Sequence, residues 1–295
     1  MNYEVLIGDC VDSMAQMPDE SIDCVVTSPP YWNLRDYGVE GQIGNEDTPE
    51  DFVKNMVAVF KEIKRILKKD GTVWLNLGDS YASGKSRYST TPQTFEKKRK
   101  KMDKKYGSLL NGKRKDVKNH PYLKDKDLIG IPWRVALALQ ADGWWLRQDI
   151  IWHKPDPMPE SVIDRCTKAH EYIFLLTKSA TYYFDHDKIN ERGSLTGKRR
   201  KRSVWTVKTT TFKDSHFAVF PPELIEPCIL AGCPEGGTVL DPFGGSGTTA
   251  GVAIANRRNA IICELNEEYA ELIEDRVASI TNGWRPGQLS IFDWG

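Results

Sequence analysis

Thr238-Val239-Leu240-Asp241-Pro242-Phe243-Gly244-Gly245-Ser246-Gly247-Thr248-Thr249 is the stretch on which the fold turns. A short strand-forming run ends in an acid, a loop with three glycines follows, and Thr248–Asn256 reads as a helix. Strand–turn–helix of this kind belongs to an open α/β sheet, which builds its binding crevice at the C-terminal ends of its strands. Glycines there let the backbone approach a ligand closely and adopt positive φ. Ala260-Ile261-Ile262-Cys263 reads as the next strand, and Glu264 ends it, 23 positions after Asp241. An acid about 20 residues on, at a strand tip, is placed to accept from both ribose hydroxyls of a bound nucleotide. Gly245-x-Gly247-x-x-Ala250 also satisfies the dinucleotide fingerprint, so the loop alone leaves a nicotinamide enzyme open. It is not a phosphate-binding P-loop, because no Gly-Lys-[Ser/Thr] follows.

A second motif lies near the start. Cys24-Val25-Val26 runs into Thr27-Ser28-Pro29-Pro30-Tyr31-Trp32. Two consecutive prolines fix φ and remove two N–H donors, so the carbonyls there stay out of a strand ladder and can face a pocket. Ser28 adds a hydroxyl acceptor; Tyr31 and Trp32 add flat faces. Such a loop suits an exocyclic amino group held by acceptors while an aromatic ring stacks on its base. By itself it suits a rigid strand exit with core aromatics equally well.

Together the motifs resemble the amino-directed DNA methyltransferases that use S-adenosylmethionine, in the circular order that puts the catalytic motif first. Asp241–Thr249 is similar to the family's cofactor loop, with Gly244 at its variable position, and Ser28-Pro29-Pro30-Tyr31 to its catalytic [Asp/Asn/Ser]-Pro-Pro-[Tyr/Phe]. Further similar segments are Leu6–Cys10, Gly71–Asp79, Ile151–Pro155, His170–Leu176 and His216–Pro221. The resemblance spans most of the chain outside 83–127 and parts of 185–213, and it displaces the nicotinamide reading. It implies catalysis by Ser28, Pro29, Pro30 and Tyr31. It implies cofactor contacts at Asp9, Cys10, Phe217, Phe220, Asp241, Phe243, Gly244, Gly245, Gly247, Thr248, Glu264 and Asn266.

The expected fold is a Rossmann-like, seven-stranded, mostly parallel sheet with helices on both faces and basic insertions. Strands are expected at Glu4–Gly8, Asp23–Thr27, Thr72–Leu77, Gln148–Trp152, Glu171–Thr177, Val239–Asp241 and Ala260–Glu264. If the late pair supplies the first and second strands, the N-terminus supplies the third and fourth, and both motif loops emerge at neighbouring strand ends. A helix opens at Pro49-Glu50-Asp51, with Phe52, Met56, Val59, Phe60, Ile63 and Leu67 on one face, and is expected to run to Gly71. Another opens at Pro132 and stops before Gly143. The expected organisation is a catalytic half in 1–82 and 128–184, a basic insertion in 83–127, a target-recognition segment in 185–213 and a cofactor half in 214–295.

With 295 residues and 40% apolar content, the chain can form one large α/β unit with insertions. It has no apolar run of membrane-spanning length, and its acidic start reads as neither signal nor transit peptide. Six cysteines form no C-x-x-C pair and five histidines show no metal-ligand spacing. Reduced thiols in the cytoplasm of a prokaryote, or a phage-encoded protein, are expected, with no metal.

The formal net charge of zero conceals a separation. Residues 1–60 hold 12 acids and 2 bases, and residues 214–295 hold 12 and 4. Residues 83–126 hold 15 Lys/Arg against 4 acids, centred on Lys97, Lys98, Arg99, Lys100 and Lys101. Residues 185–213 hold 9 against 3, including Lys198, Arg199, Arg200, Lys201 and Arg202. Tyr88, Phe95, Tyr106, Tyr122 and Trp205 are interleaved. Two basic segments on an acidic body read as the footprint of a polyanion, here double-stranded DNA.

The expected reaction is methyl transfer from S-adenosylmethionine to an exocyclic amine of a flipped-out base. In the family, Ser at the first catalytic position goes mostly with cytosine N4, and Asp or Asn mostly with adenine N6. Ser28 therefore points to cytosine N4, with adenine N6 as the alternative. RNA or protein methylation and a non-catalytic nucleic-acid-binding protein are more distant readings. The Pro-Cys pair of carbon-5 enzymes occurs only at Pro227-Cys228, outside any comparable loop. A cognate restriction endonuclease is a further expected partner, and the chain acts as a monomer or homodimer.

Overall fold

The computed structural model describes residues 1–34, 36–82, 120–160, 162–193, 197–209 and 220–283. Eight strands form one sheet: β1 (Tyr3–Ile7), β2 (Ile22–Thr27), β3 (Leu67–Leu77), β4 (Trp145–His153), β5 (His170–Thr177), β6 (Val204–Thr206), β7 (Thr238–Asp241) and β8 (Asn259–Glu264). Their order is β1-β8-β7-β2-β3-β5-β4-β6. Every neighbouring pair is parallel except the two that involve β5. All seven expected strands are present. The N-terminal β1 pairs with the C-terminal β8 from Tyr3↔Ala260 to Ile7↔Glu264, and β2 pairs with β7 through Cys24↔Val239 and Val25↔Leu240. Permuted order and unpermuted sheet are therefore compatible.

The eighth strand, β6, corrects the expectation. It lies within a stretch that reads as a charge run, yet it pairs parallel with the outer edge of β4 through Ile151↔Val204 and Trp152↔Trp205. Trp205 drives this, being only 5% exposed, packed in the core near Trp74, with Nε1 donating to Arg202 O at 2.7 Å. It is a core residue and not a ring offered to DNA.

Helices cover both faces of the sheet. In chain order they are α1 (Cys10–Ala15), α2 (Pro49–Ile66), α3 (Ile131–Ala141), α4 (Pro222–Gly232), α5 (Thr248–Ala255), α6 (Glu267–Ala270) and α7 (Ile273–Gly283). Successive strand residues point to opposite faces. Val25 joins Phe52, Met56, Phe60 and Ile63 of α2 in one buried cluster, whereas Val26 joins Leu224, Ile225 and Ile229 of α4 in the other. The unbroken run Cys24–Thr27 is thus apolar or neutral because both of its faces are covered.

The helix from Pro49 stops at Ile66, five residues short of the expected Gly71. Leu67 is already extended (φ −69°, ψ 136°) and pairs with Ile22, and Lys68 Nζ donates to Asp23 Oδ1 at 2.6 Å. Burial of Leu67 and pairing to β2 outweigh the helical propensity of the lysines. Among the described residues no helix is long and apolar enough to cross a membrane. All six cysteines are free thiols, and only Cys166 is exposed. Pro227-Cys228 lies inside α4 with the thiol buried and its pKa raised by that burial, unlike a nucleophile.

Candidate active site

The adjacent C-terminal ends of β2 and β7 bring the two motifs together. Thr27 Oγ1 donates to Asp241 Oδ1 at 2.7 Å across 214 residues of sequence. Asp241 is buried and takes two more donors, Phe243 N on Oδ1 at 3.1 Å and Thr249 Oγ1 on Oδ2 at 2.6 Å. Burial outweighs these bonds and pushes its carboxyl up to about 6. Asp241 thus ties β2, the glycine loop and α5 to one point.

Glu264, at the tip of β8, holds the loop from the other side. Its Oε2 accepts from Gly245 N at 2.7 Å and its Oε1 from Asn266 N at 2.9 Å. Burial raises its pKa, and these two backbone donors moderate the rise. Gly244 lets the loop lie against β8, since a Cβ there would stand 1.9 Å from Ile262 Cγ2. Gly247 turns the chain into α5 at φ +84°, a conformation glycine adopts freely.

One pocket opens between these tips. It is lined by Asp9, Cys10, Ser28, Pro30, Phe220, Asp241, Phe243, Gly244, Gly245, Thr248, Glu264 and Asn266, twelve of the residues expected from the sequence. Asp9 also caps α1, its Oδ1 accepting from Val11 N at 2.8 Å, and burial pushes the Cys10 thiol up to about 12. Gly247 lies at the turn into α5 and is not among the lining residues; it packs beneath Ile273, where a Cβ would stand 2.7 Å from Cγ2. Phe217 lies outside the described residues. An acid with both oxygens oriented by the loop, a glycine turn without side chains, and aromatic walls from Phe220, Phe243 and Tyr37 fit a nucleoside cofactor.

Sequence reasoning missed part of the wall. Tyr37, Val39, Gly41, Gln42 and Ile43 line the pocket from the loop that follows the catalytic motif, and Tyr269 lines it from α6. That loop is closed at its base by Asn33 N donating to Gly44 O at 2.8 Å, and Gln42 Oε1 accepts from Tyr37 N at 2.7 Å. Tyr37 and Tyr269 meet edge to face, 6.2 Å between ring centres. Gly38, Gly41 and Gly44, spaced by three and beginning six positions after Trp32, were the available signal.

The Ser28–Trp32 loop borders the pocket through Ser28 and Pro30. Ser28 and Pro30 are half-buried, Pro29 is buried, and Trp32 is core, with Nε1 donating to Glu46 O at 3.0 Å. The Tyr31 ring lies against Gly78, where a Cβ would be 2.5 Å from Cε2, so no other residue leaves it room. Its hydroxyl reaches Glu171 Oε2 at 2.6 Å and Asn76 Oδ1 at 3.1 Å, and Ser28 Oγ stands 3.5 Å away. Lys154 Nζ pairs with Glu171 Oε1. The ring plane is therefore set by strands β3 and β5.

The basic segments are only partly visible. Lys97, Lys98, Arg99, Lys100 and Lys101, with Tyr88, Phe95 and Tyr106, lie outside the described residues. Arg199 and Arg202 both pair with Glu191, at 2.9 and 2.8 Å. Arg200 is exposed, and Lys201 Nζ lies 4.9 Å from the Trp205 ring centre, its pKa lowered chiefly by burial. Tyr122 is exposed, but its hydroxyl is engaged by Glu50 and its ring by the Arg134 guanidinium, 5.1 Å away.

Comparison with known proteins agrees with this geometry. The family model described as DNA methylase, covering N6- and N4-directed enzymes, matches residues 22–275. The Type II methyltransferase M.SmaI of Serratia marcescens is 48% identical over 276 residues, spanning 93% of this chain and 90% of that protein. M.Cfr9I of Citrobacter freundii, also a Type II methyltransferase, is 47% identical over 270 residues, spanning 92% and 86%. Among solved structures, the cytosine-N4-specific PvuII DNA methyltransferase superposes with a TM-score of 0.67 at 21% identity, covering 96% of this chain and 94% of that one. TTHA0409 of Thermus thermophilus, complexed with S-adenosyl-L-methionine, does so at 0.63 and 24%, covering 96% and 98%. At those identities the structural likeness concerns the fold, while the family match and the close relatives decide membership: the chain belongs to the N6/N4 DNA methylase family.

Proposed function

We propose that this protein is a Type II DNA methyltransferase that methylates the exocyclic N4 amine of cytosine, with S-adenosyl-L-methionine as donor. The observation that carries the reading is the meeting of Ser28-Pro29-Pro30 with the Glu264 and glycine-loop pocket at neighbouring strand tips. Ser28, where other members carry Asp or Asn, favours cytosine over adenine.

When bound, S-adenosyl-L-methionine supplies a methyl group activated by its sulfonium. The chain's residues position and polarise. Glu264 accepts from the ribose, Gly244 and Gly245 give the backbone close access, and Phe220, Phe243 and Tyr37 wall the base. An amine conjugated to its ring is a weak nucleophile. Acceptors on its N–H groups localise the lone pair and stabilise the charge that grows on nitrogen during attack. Ser28 Oγ and the Pro29 carbonyl serve as those acceptors, and Tyr31 stacks on the base. Because the amine is paired in a duplex, the nucleotide must leave the stack, at a cost of a few kcal/mol. Segment 83–127 is the basic insertion that grips the duplex, segment 185–213 the target reader, and a restriction endonuclease of the same target the partner whose cutting the methylation blocks.

The test is mass spectrometry of nucleosides from DNA incubated with purified protein and donor. N4-methylcytosine is expected. N6-methyladenine alone would move the target to adenine, and no methylated nucleoside would overturn the catalytic reading.

A further inference from the structure

Behind the catalytic loop, Ser28, Tyr31, Asn76, Glu171 and Lys154 form a single hydrogen-bonded chain, contributed by the ends or interiors of β2, β3, β5 and β4. Its polarity can be worked out. A phenol has one proton, and among the described residues Tyr31 Oη has three hydrogen-bond neighbours: Glu171 Oε2 at 2.6 Å, Asn76 Oδ1 at 3.1 Å and Ser28 Oγ at 3.5 Å. The acidic oxygen is the nearest, and hydrogen bonds to ionised acceptors are the short, strong ones. Burial, then the Glu171 charge, raise the Tyr31 pKa, so the phenol stays protonated and donates its hydrogen bond to Glu171. Asn76 Nδ2 donates to Tyr172 O at 3.0 Å and stands 3.4 Å from the same Glu171 Oε2, which leaves its Oδ1 facing Tyr31 Oη. With its proton committed, Tyr31 Oη can only accept from Ser28. The Ser28 hydroxyl hydrogen then points inward, and its lone pairs are left for the substrate.

That direction matters chemically. The substrate amine offers N–H donors, and its one lone pair is the attacking pair. A serine that donated to the nitrogen would occupy that pair, whereas one that accepts from N–H frees it. We propose that Glu171, paired with Lys154, is a positioning residue that acts through Tyr31 to set Ser28 as a hydrogen-bond acceptor for the target amine. The proposal rests on the catalytic reading of Ser28-Pro29-Pro30-Tyr31.

Glu171→Gln tests it with little change of shape. The Lys154 ammonium is donor-only and requires the glutamine carbonyl on its side, which turns the NH2 toward Tyr31 Oη. Tyr31 must then accept from Gln and release its proton toward Asn76 or Ser28, and the one-way order is lost. The expected result is a kcat lower by about tenfold, the effect of roughly one charge-assisted hydrogen bond, with KM for DNA and calorimetric affinity for S-adenosylmethionine changed by less than about twofold. In a Tyr31→Phe background the same substitution should add nothing, because the two act as one unit. Wild-type kcat in Glu171→Gln, or a raised KM for DNA at unchanged kcat, would overturn the proposal; the second outcome would make Glu171 a mere support for the ring. Should Glu171→Gln not fold, Tyr31→Phe alone decides, since it keeps the ring but removes the acceptor of the Ser28 proton. A wild-type kcat there overturns the proposal as well. Ser28→Ala separates the two levels: a full rate in that variant sinks the catalytic reading itself. A slow Ser28→Ala beside a fast Glu171→Gln sinks only the role of Glu171.

Discussion

Asp241, singled out by the sequence, lines the pocket and accepts from Thr27, Thr249 and the Phe243 amide, so it also holds two loops together. That position carries a cost with a defined pH dependence. Burial raises its pKa from 3.8 to about 6. The native state therefore binds this proton more tightly than the unfolded chain does. The stability tied to it is fully present below the unfolded value and lost as pH rises through about 6, a total of about 3 kcal/mol at 1.36 kcal/mol per unit. Asp241→Asn keeps the shape, presents its carbonyl to the Phe243 amide and cannot ionise. The stability of the variant relative to the native protein should rise between about pH 4 and about pH 7 and level off above. Denaturant unfolding across that range checks it, and parallel pH curves for the two proteins would contradict the assignment.

The glycine loop illustrates an element whose function comes from close packing. Gly244 leaves 1.9 Å between a would-be Cβ and Ile262 Cγ2, so Gly244→Ala must lift the loop from β8 and disturb the Gly245 N–H to Glu264 bond. Overpacking of this kind costs about 1–3 kcal/mol. Affinity for S-adenosylmethionine should fall about tenfold or more in Gly244→Ala, and Gly244→Ala/Ile262→Ala should recover part of it by removing the clashing methyl. Calorimetry on both variants decides, and full affinity in the single variant would mean that the loop does not shape the site. This element was legible in the sequence because strand, glycines and acid follow one another locally. β6 was not, since three residues inside a charge run join the sheet only through the burial of Trp205. The end of α2 was missed for a similar reason: Lys68 and Lys69 favour helix locally, but pairing of Leu67 with Ile22 is a contact 45 positions away. Glu171 stood in a recognisable segment, but its bond to Tyr31 spans 140 residues, and no local pattern encodes it.

At the scale of the whole molecule the question is how an electrically neutral chain holds a polyanion. The acids lie mostly in 1–60 and 214–295, the bases in 83–126 and 185–213, so the net charge of zero is a sum of opposed regions. Each phosphate contact releases counterions, and the slope of log affinity against log salt measures how many contacts form, about 0.9 for each. The two basic clusters should differ in this respect. Arg199 and Arg202 share Glu191 through their Nε atoms, at 2.9 and 2.8 Å, so the three side chains together present a net charge of only +1 to a phosphate backbone. Neutralising Arg199 and Arg202 together should therefore lower the slope by less than about 1 while altering which sequences are methylated, because base-edge contacts carry specificity. Replacing Lys97, Lys98, Arg99, Lys100 and Lys101 by alanine should flatten the slope by about 3–4 and weaken binding to any sequence alike. Binding to target and non-target duplexes over a salt series, with methylated positions mapped alongside, measures both effects. An unchanged slope in the five-residue variant would leave that cluster as solvated surface. An unchanged target in the arginine pair would move sequence reading away from 185–213.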